Sequence, residues 1–149
     1  MERLLVALVL VVVAVAVAAV LQRRRPAAPS GANWNVPAQL DRSDFRSPSA
    51  PWLVAVFTSA TCTACSDVAM KAGALDSTSV AVQELEVTAD AELHRRYGID
   101  AVPLVLIADI DGVVRRHFLG PVTATDLWAA VAEAREPGST PESCHDRTD

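Results

Sequence analysis

Two cysteines stand three positions apart in TSATCTACSD, residues 58–67, directly after a run of strand-forming residues. A Cys62-x-x-Cys65 pair supports three chemistries: reversible thiol–disulfide exchange, half of a zinc site, or a fixed structural staple. A zinc site needs a second spaced pair of Cys or His ligands. The other thiol and imidazole groups are His94, His117, Cys144 and His145. Cys144 and His145 are adjacent in a polar tail rather than spaced along an ordered element. His94 and His117 each neighbour an arginine and read as surface histidines. The metal reading therefore lacks its second half, while exchange and the staple both stay open.

The surrounding elements must present these sulfurs. APWLVAVFTS (50–59) is a short, near-continuous apolar run, as expected of a buried strand. CSDVAMKAGALDS follows with Val68, Ala69, Ala72 and Leu75 at helical spacing. That places Cys62 in the first helical turn, where unpaired N–H groups and the helix dipole favour a thiolate. Cys65 lies one turn further in, on the same face and less exposed. SVAVQELEV (79–87) predicts a second strand, and DAELHRRYGI a helix stopped by Gly98. VPLVLIAD and VVRRHFLG predict two more strands joined by a DIDG turn. TATDLWAAVAEAREPG predicts a closing helix capped by Thr123, with Asp126 three residues on. Helices between strands imply parallel pairing, and the short turn implies an antiparallel hairpin. The fold class is α/β, a mixed sheet with helices on both faces. LDRSDF predicts a short helical turn at the start of the folded part.

Composition narrows the partners. The chain has 149 residues and a formal net charge of −5. Setting aside residues 1–25, which carry four Arg and one Glu, leaves nine basic against 17 acidic residues, a net of −8. An acidic domain has no electrostatic reason to bind nucleic acid. The pairs Arg95-Arg96 and Arg115-Arg116 read as solvated faces. At the N-terminus, Leu4–Leu21 is an uninterrupted run of 18 uncharged apolar residues. As a helix it spans about 27 Å, close to the ~30 Å hydrocarbon core, so residues 1–25 read as a single-pass transmembrane anchor with a basic flank. A cleaved signal peptide competes, although its apolar core is ordinarily shorter and its start more basic. Arg23–Arg25 follow the span and one Arg precedes it, so the positive-inside rule puts the domain on the cytoplasmic side, with the extracytoplasmic face as the alternative. Residues 26–40 read as a flexible tether, 41–137 as the folded domain, and 138–149 as a disordered polar tail.

With the layout in place, LVAVFTSATCTAC, YGIDAVPLVLI, DIDGVV and FLGPVT together resemble the thioredoxin family over about residues 50–134. The resemblance implies a thioredoxin-like three-layer sandwich and a membrane-tethered bacterial thiol–disulfide oxidoreductase. It further implies that Cys62 attacks, that Cys65 resolves, and that the two form the redox disulfide. Pro103 would be a cis-proline facing the pair, and the backbone of Val102 would bind an extended substrate segment. No metal or organic cofactor is implied. The partner would be a protein thiol or disulfide, and the chain a monomer. This sequence departs from the family at Thr61, where Trp is usual, and at Thr63-Ala64, where Gly-Pro is usual. The family's buried Asp aligns with Val56, and the Lys facing it with Glu84. Glu84 is thus the candidate proton relay for Cys65 if its face lies beneath the motif, against the plainer reading of an exposed strand-edge glutamate. Two other readings remain: a binding or assembly module with a structural or vestigial cysteine pair, and a sulfur or metal carrier using Cys62.

Overall fold

The computed structural model describes residues 34–138. The apolar run Leu4–Leu21 and Cys144 lie outside them. Among the described residues no helix is long and apolar enough to cross a membrane.

The chain runs β1 (Trp52–Thr58), α1 (Cys65–Gly73), β2 (Val80–Glu86), α2 (Ala91–Tyr97), β3 (Leu104–Ala108), β4 (Val114–Leu119) and α3 (Ala124–Arg135). A 3-10 turn, Arg42–Asp44, precedes β1. The four strands form one sheet in the order β2-β1-β3-β4. β1 and β2 are parallel, as a strand–helix–strand crossover requires. β3 and β4 form the expected antiparallel hairpin.

The pairing of β3 corrects the sequence-based expectation. A helix between β2 and β3 suggested parallel strands, but β3 pairs with β1 and runs antiparallel to it, Leu104 opposite Phe57 and Ala108 opposite Leu53. The cause is the shortness of α2. It covers seven residues and stops at Gly98, whose φ of 62° suits a residue without Cβ. Residues 99–103 then return the chain to the end of the sheet where β1 finishes, so β3 starts there.

Alternation along β1 feeds two cores. Val54 and Val56 face α1 and α3, where they meet Val68, Ala72, Leu127 and Val131. Leu53, Ala55 and Phe57 face the other way, with Leu85, Tyr97, Leu40 and Phe45. Helices thus cover both faces. Every β1 residue from Leu53 to Thr58 is buried, which explains why that segment is apolar without alternation. Thr123 caps α3 by accepting from the Asp126 N–H, as its sequence suggested.

Two further expectations change. Residues 34–40, read as the end of a tether, are held against the domain. Gln39 bridges to Val113, Leu40 is fully buried, and the Asn35 amide donates to the Gly98 carbonyl at 3.3 Å. The buried Arg42 guanidinium fixes the segment from the other side, donating to the carbonyls of Asp109 (2.7 Å) and Ala50 (2.9 Å). His94, read as a surface residue, is buried. Its Nε2 lies 3.0 Å from the Leu85 carbonyl, so Nε2 carries the proton, and its ring meets Phe57 edge-on. The neighbouring arginines in HRRY face outward while the helix turns His94 inward.

Tyr97 locks the 3-10 turn to α2. Its hydroxyl donates to the Asp44 carboxylate and accepts from the Asp41 N–H. Burial, and then the Asp44 hydrogen bond, push its pKa up to about 12. A phenol raised in the folded state contributes stability that is complete below the unfolded value near 10 and is lost as pH rises through about 12. Urea unfolding at pH 9, 10 and 11 should show the wild-type chain losing stability more steeply than Tyr97→Phe. Parallel pH profiles would contradict this.

Candidate active site at the end of β1

The path from strand to helix is set by local hydrogen bonds. The Cys62 N–H donates to the Ser59 carbonyl at 3.0 Å, and the Cys65 N–H to the Cys62 carbonyl at 3.3 Å. These two turns carry the chain off the end of β1 and into α1. Cys62 lies in the turn ahead of α1, and Cys65 is the first helical residue. The helix therefore begins where the apolar periodicity does, and Cys62, expected in its first turn, stands just ahead of it. Ala64 caps it without a side-chain hydrogen bond, so first-turn N–H groups lack a side-chain acceptor at the end of the helix that carries Cys65.

Cys62 and Cys65 are joined as a disulfide with a Cα–Cα separation of 5.4 Å. Cys62 is partly exposed, whereas Cys65 is 2 % exposed. This asymmetry matters chemically, because one sulfur can meet an external group and the other cannot without the first. Both line an open hollow of about 320 Å³, together with Thr58, Ser59, Thr61, Ser66, Glu84 and Glu86.

The parallel register places Glu84 beside Val56 and Glu86 beside Thr58. Both carboxylates therefore project on the α1 face, at the end of the sheet that carries the motif. They are held differently. Glu86 accepts from the N–H groups of Thr88 (2.7 Å), Ala89 (3.0 Å) and, in the motif loop, Ala60 (3.2 Å). The hydrogen bonds from Ala89 and Thr88, with the one from Ala60, hold its carboxyl below the ordinary glutamate value. Glu84 is exposed. Its Oε1 accepts from the hydroxyl of the buried Thr58 at 2.9 Å, and Oε2 has no partner among the described residues.

Val102 and Pro103 lie on the other flank of the motif. The Val102–Pro103 peptide is cis. Leu104 pairs with Phe57, so these two residues come just before β3 at the same end of the sheet. The Pro103 carbonyl accepts from the Gly120 N–H at 2.8 Å. Cys62, Cys65 and Glu84 thus share one hollow, and Val102–Pro103 stand outside it. The shared face of Glu84 and Glu86 was legible in the sequence, whereas the hydrogen bonds of Thr58 to Glu84 and of the Ala60 N–H to Glu86 were not. The period-two spacing of Glu84 and Glu86 in ELE was the available signal, since it places both on one face. His117 is exposed, and His94 lies on the α2 side of the sheet, apart from the sulfurs. Among the described residues no group of three or more His, Cys, Asp or Glu could hold a metal ion.

No protein-family model matches the chain, and no curated protein matches it. Solved structures with a similar backbone include StoA from Bacillus subtilis, at 17 % identity over 54 % of this chain and 81 % of that one, with a TM-score of 0.44. Thioredoxin from Fasciola hepatica is 24 % identical over 56 % of this chain and 80 % of that one, with a TM-score of 0.49. A mutant thioredoxin from Halobacterium salinarum is 20 % identical over 58 % of this chain and 76 % of that one, with a TM-score of 0.49.

Proposed function

We propose that this chain is a membrane-anchored, thioredoxin-like thiol–disulfide oxidoreductase acting on a protein partner. The observation that carries this reading is the disulfide itself. It joins one accessible sulfur and one buried sulfur at the mouth of an open hollow, on the turn that leads from β1 into α1.

In the reducing direction the Cys62 thiolate attacks a partner disulfide. A Cys62–partner mixed disulfide forms and one partner sulfur leaves as a thiolate. Cys65 then loses its proton and its thiolate attacks Cys62 Sγ. The second partner sulfur leaves, and the Cys62–Cys65 disulfide forms. Two electrons pass to the partner, and the oxidising direction is the reverse. The N-terminus of α1 favours negative charge on Cys62 in either direction. Val102 and Pro103 offer backbone for an extended partner segment on the β3 side. The test is reduction of a peptide disulfide by the reduced full chain, held in non-ionic detergent because of its apolar N-terminal run. Reduction of one peptide disulfide per chain is expected, and none by Cys62→Ser. Equal rates for the two proteins would reject the reading.

Cys65 shares the hollow with Glu84, which makes Glu84 the candidate acceptor of its proton, with water the alternative. With an uncharged peptide disulfide, Glu84→Gln should slow release of the mixed disulfide across pH 6–9, with initial attack by Cys62 nearly unchanged. Unaltered release kinetics would assign the proton to water.

The proposed anchor is Leu4–Leu21, and the charge of Arg23–Arg25 favours a domain on the cytoplasmic side. A membrane-impermeant thiol reagent, applied to whole cells after reduction, should leave Cys62 unlabelled. Efficient labelling would reverse the orientation.

A further inference from the structure

The wall of the hollow is strongly one-sided in charge. It holds two carboxylates, Glu84 and Glu86, and the remaining side chains are small hydroxyl, methyl or sulfur groups. Among the described residues neither glutamate has a cation within ion-pair distance. The nearest acid on α1, Asp67, is already paired with Lys71. The two glutamates also divide their tasks. Glu86 is saturated by backbone N–H groups and fixed in place. Glu84, which also lines the hollow, spends one oxygen on Thr58 and has no partner for the other among the described residues. A partner disulfide that reaches Cys62 brings its flanking side chains to this wall. An acidic flank there meets two like charges, and an uncharged flank brings no charge to offset them. A lysine or arginine flank supplies the missing donor and the missing charge at once. The overall charge of −8 outside residues 1–25 acts in the same sense at longer range, drawing basic partners to the domain.

We infer that Glu84, on a wall fixed by Glu86, selects partner segments with lysine or arginine beside the reactive cysteine. This rests on the thiol–disulfide reading above. It concerns the attack step on a charged partner, whereas the proton transfer from Cys65 is common to all partners and cancels in a ratio.

The test uses three peptide disulfides, identical except that the residues flanking cysteine are lysine, glutamine or glutamate. The reduced full chain in non-ionic detergent reacts with each. Each attack rate is divided by the rate with dithiothreitol, which removes the peptides' own reactivity. At about 20 mM ionic strength the lysine peptide should exceed the glutamate peptide by about fivefold or more. At about 0.5 M salt the ratio should shrink toward unity, because the Debye length falls to a few Å. Glu84→Gln should at least halve the low-salt ratio of the lysine rate to the glutamate rate. Equal rates for the three peptides, a preference for glutamate, or an undiminished ratio in Glu84→Gln would overturn the inference while leaving the redox reading intact. Reduction of none of the three would remove the redox reading and the inference together.

Discussion

Cys65→Ser protein is expected to accumulate covalent complexes with its partner, and Cys62→Ser protein to form almost none. The two sulfurs differ in what can reach them. Cys62 stands in the turn ahead of α1 and is partly exposed, whereas Cys65 is buried at the helix start. With Cys65 replaced, attack by Cys62 still forms the mixed disulfide, but no second cysteine remains among the described residues to break it. With Cys62 replaced, the remaining sulfur is enclosed and the first bond cannot form. Non-reducing gels of cell extracts quenched with acid would show the bands, and mass spectrometry would place the linkage on Cys62. Equal trapping by both variants, or by neither, would contradict the division of labour. Cys144 has no role in the scheme, so Cys144→Ala should match the wild type in the same gels.

Phe57→Ala is expected to cost about 3–5 kcal/mol of stability, the range for removing a fully buried aromatic ring. Phe57 has no exposed surface and belongs to the core between the sheet and α2. Its ring meets the His94 imidazole edge-on, with centroids 5.0 Å apart. Removing it leaves a void among the buried side chains of that core and the His94 imidazole. The residue also pairs with Leu104 and directly precedes Thr58. The void therefore opens beneath the strand end that carries the motif. Urea titration should show the loss as a lower midpoint at an unchanged slope. Met70→Ala is the reference, because Met70 is 70 % exposed and its truncation should stay within about 0.5 kcal/mol. A Phe57→Ala protein within about 1 kcal/mol of the wild type would contradict the assignment of this core.

The strands and helices were legible in the sequence because their signals are local. The apolar run before the cysteines, the Thr123 cap and the Gly98 stop each depend on neighbours a few residues away. The direction of β3 was not legible. It depends on how far residues 99–103 carry the chain back, and no periodicity reports that distance. Burial of His94 was hidden by its arginine neighbours, since Arg96 instead reaches the Asp41 and Asp44 carboxylates across the surface. The packing of residues 34–40 was hidden by composition. A polar, proline-containing stretch reads as a linker, yet here single side chains such as Gln39 and Leu40 fasten it. At the site, spacing alone singled out the cysteines. The hollow beside them arises from the parallel register of β1 and β2, which sets Glu84 and Glu86 against the motif loop.

The central claim is that the Cys62–Cys65 bond opens and closes in use. Intact cells expressing the full chain can be given a brief oxidant pulse and, separately, a mild dithiothreitol pulse. Thiols are then trapped at intervals by acid quench and alkylation, and the occupancy of Cys62 and Cys65 is read by mass spectrometry. The pair is expected to shift in each direction and to return to its resting ratio within minutes. A disulfide found in every chain before, during and after both pulses would mark a structural staple and contradict the account.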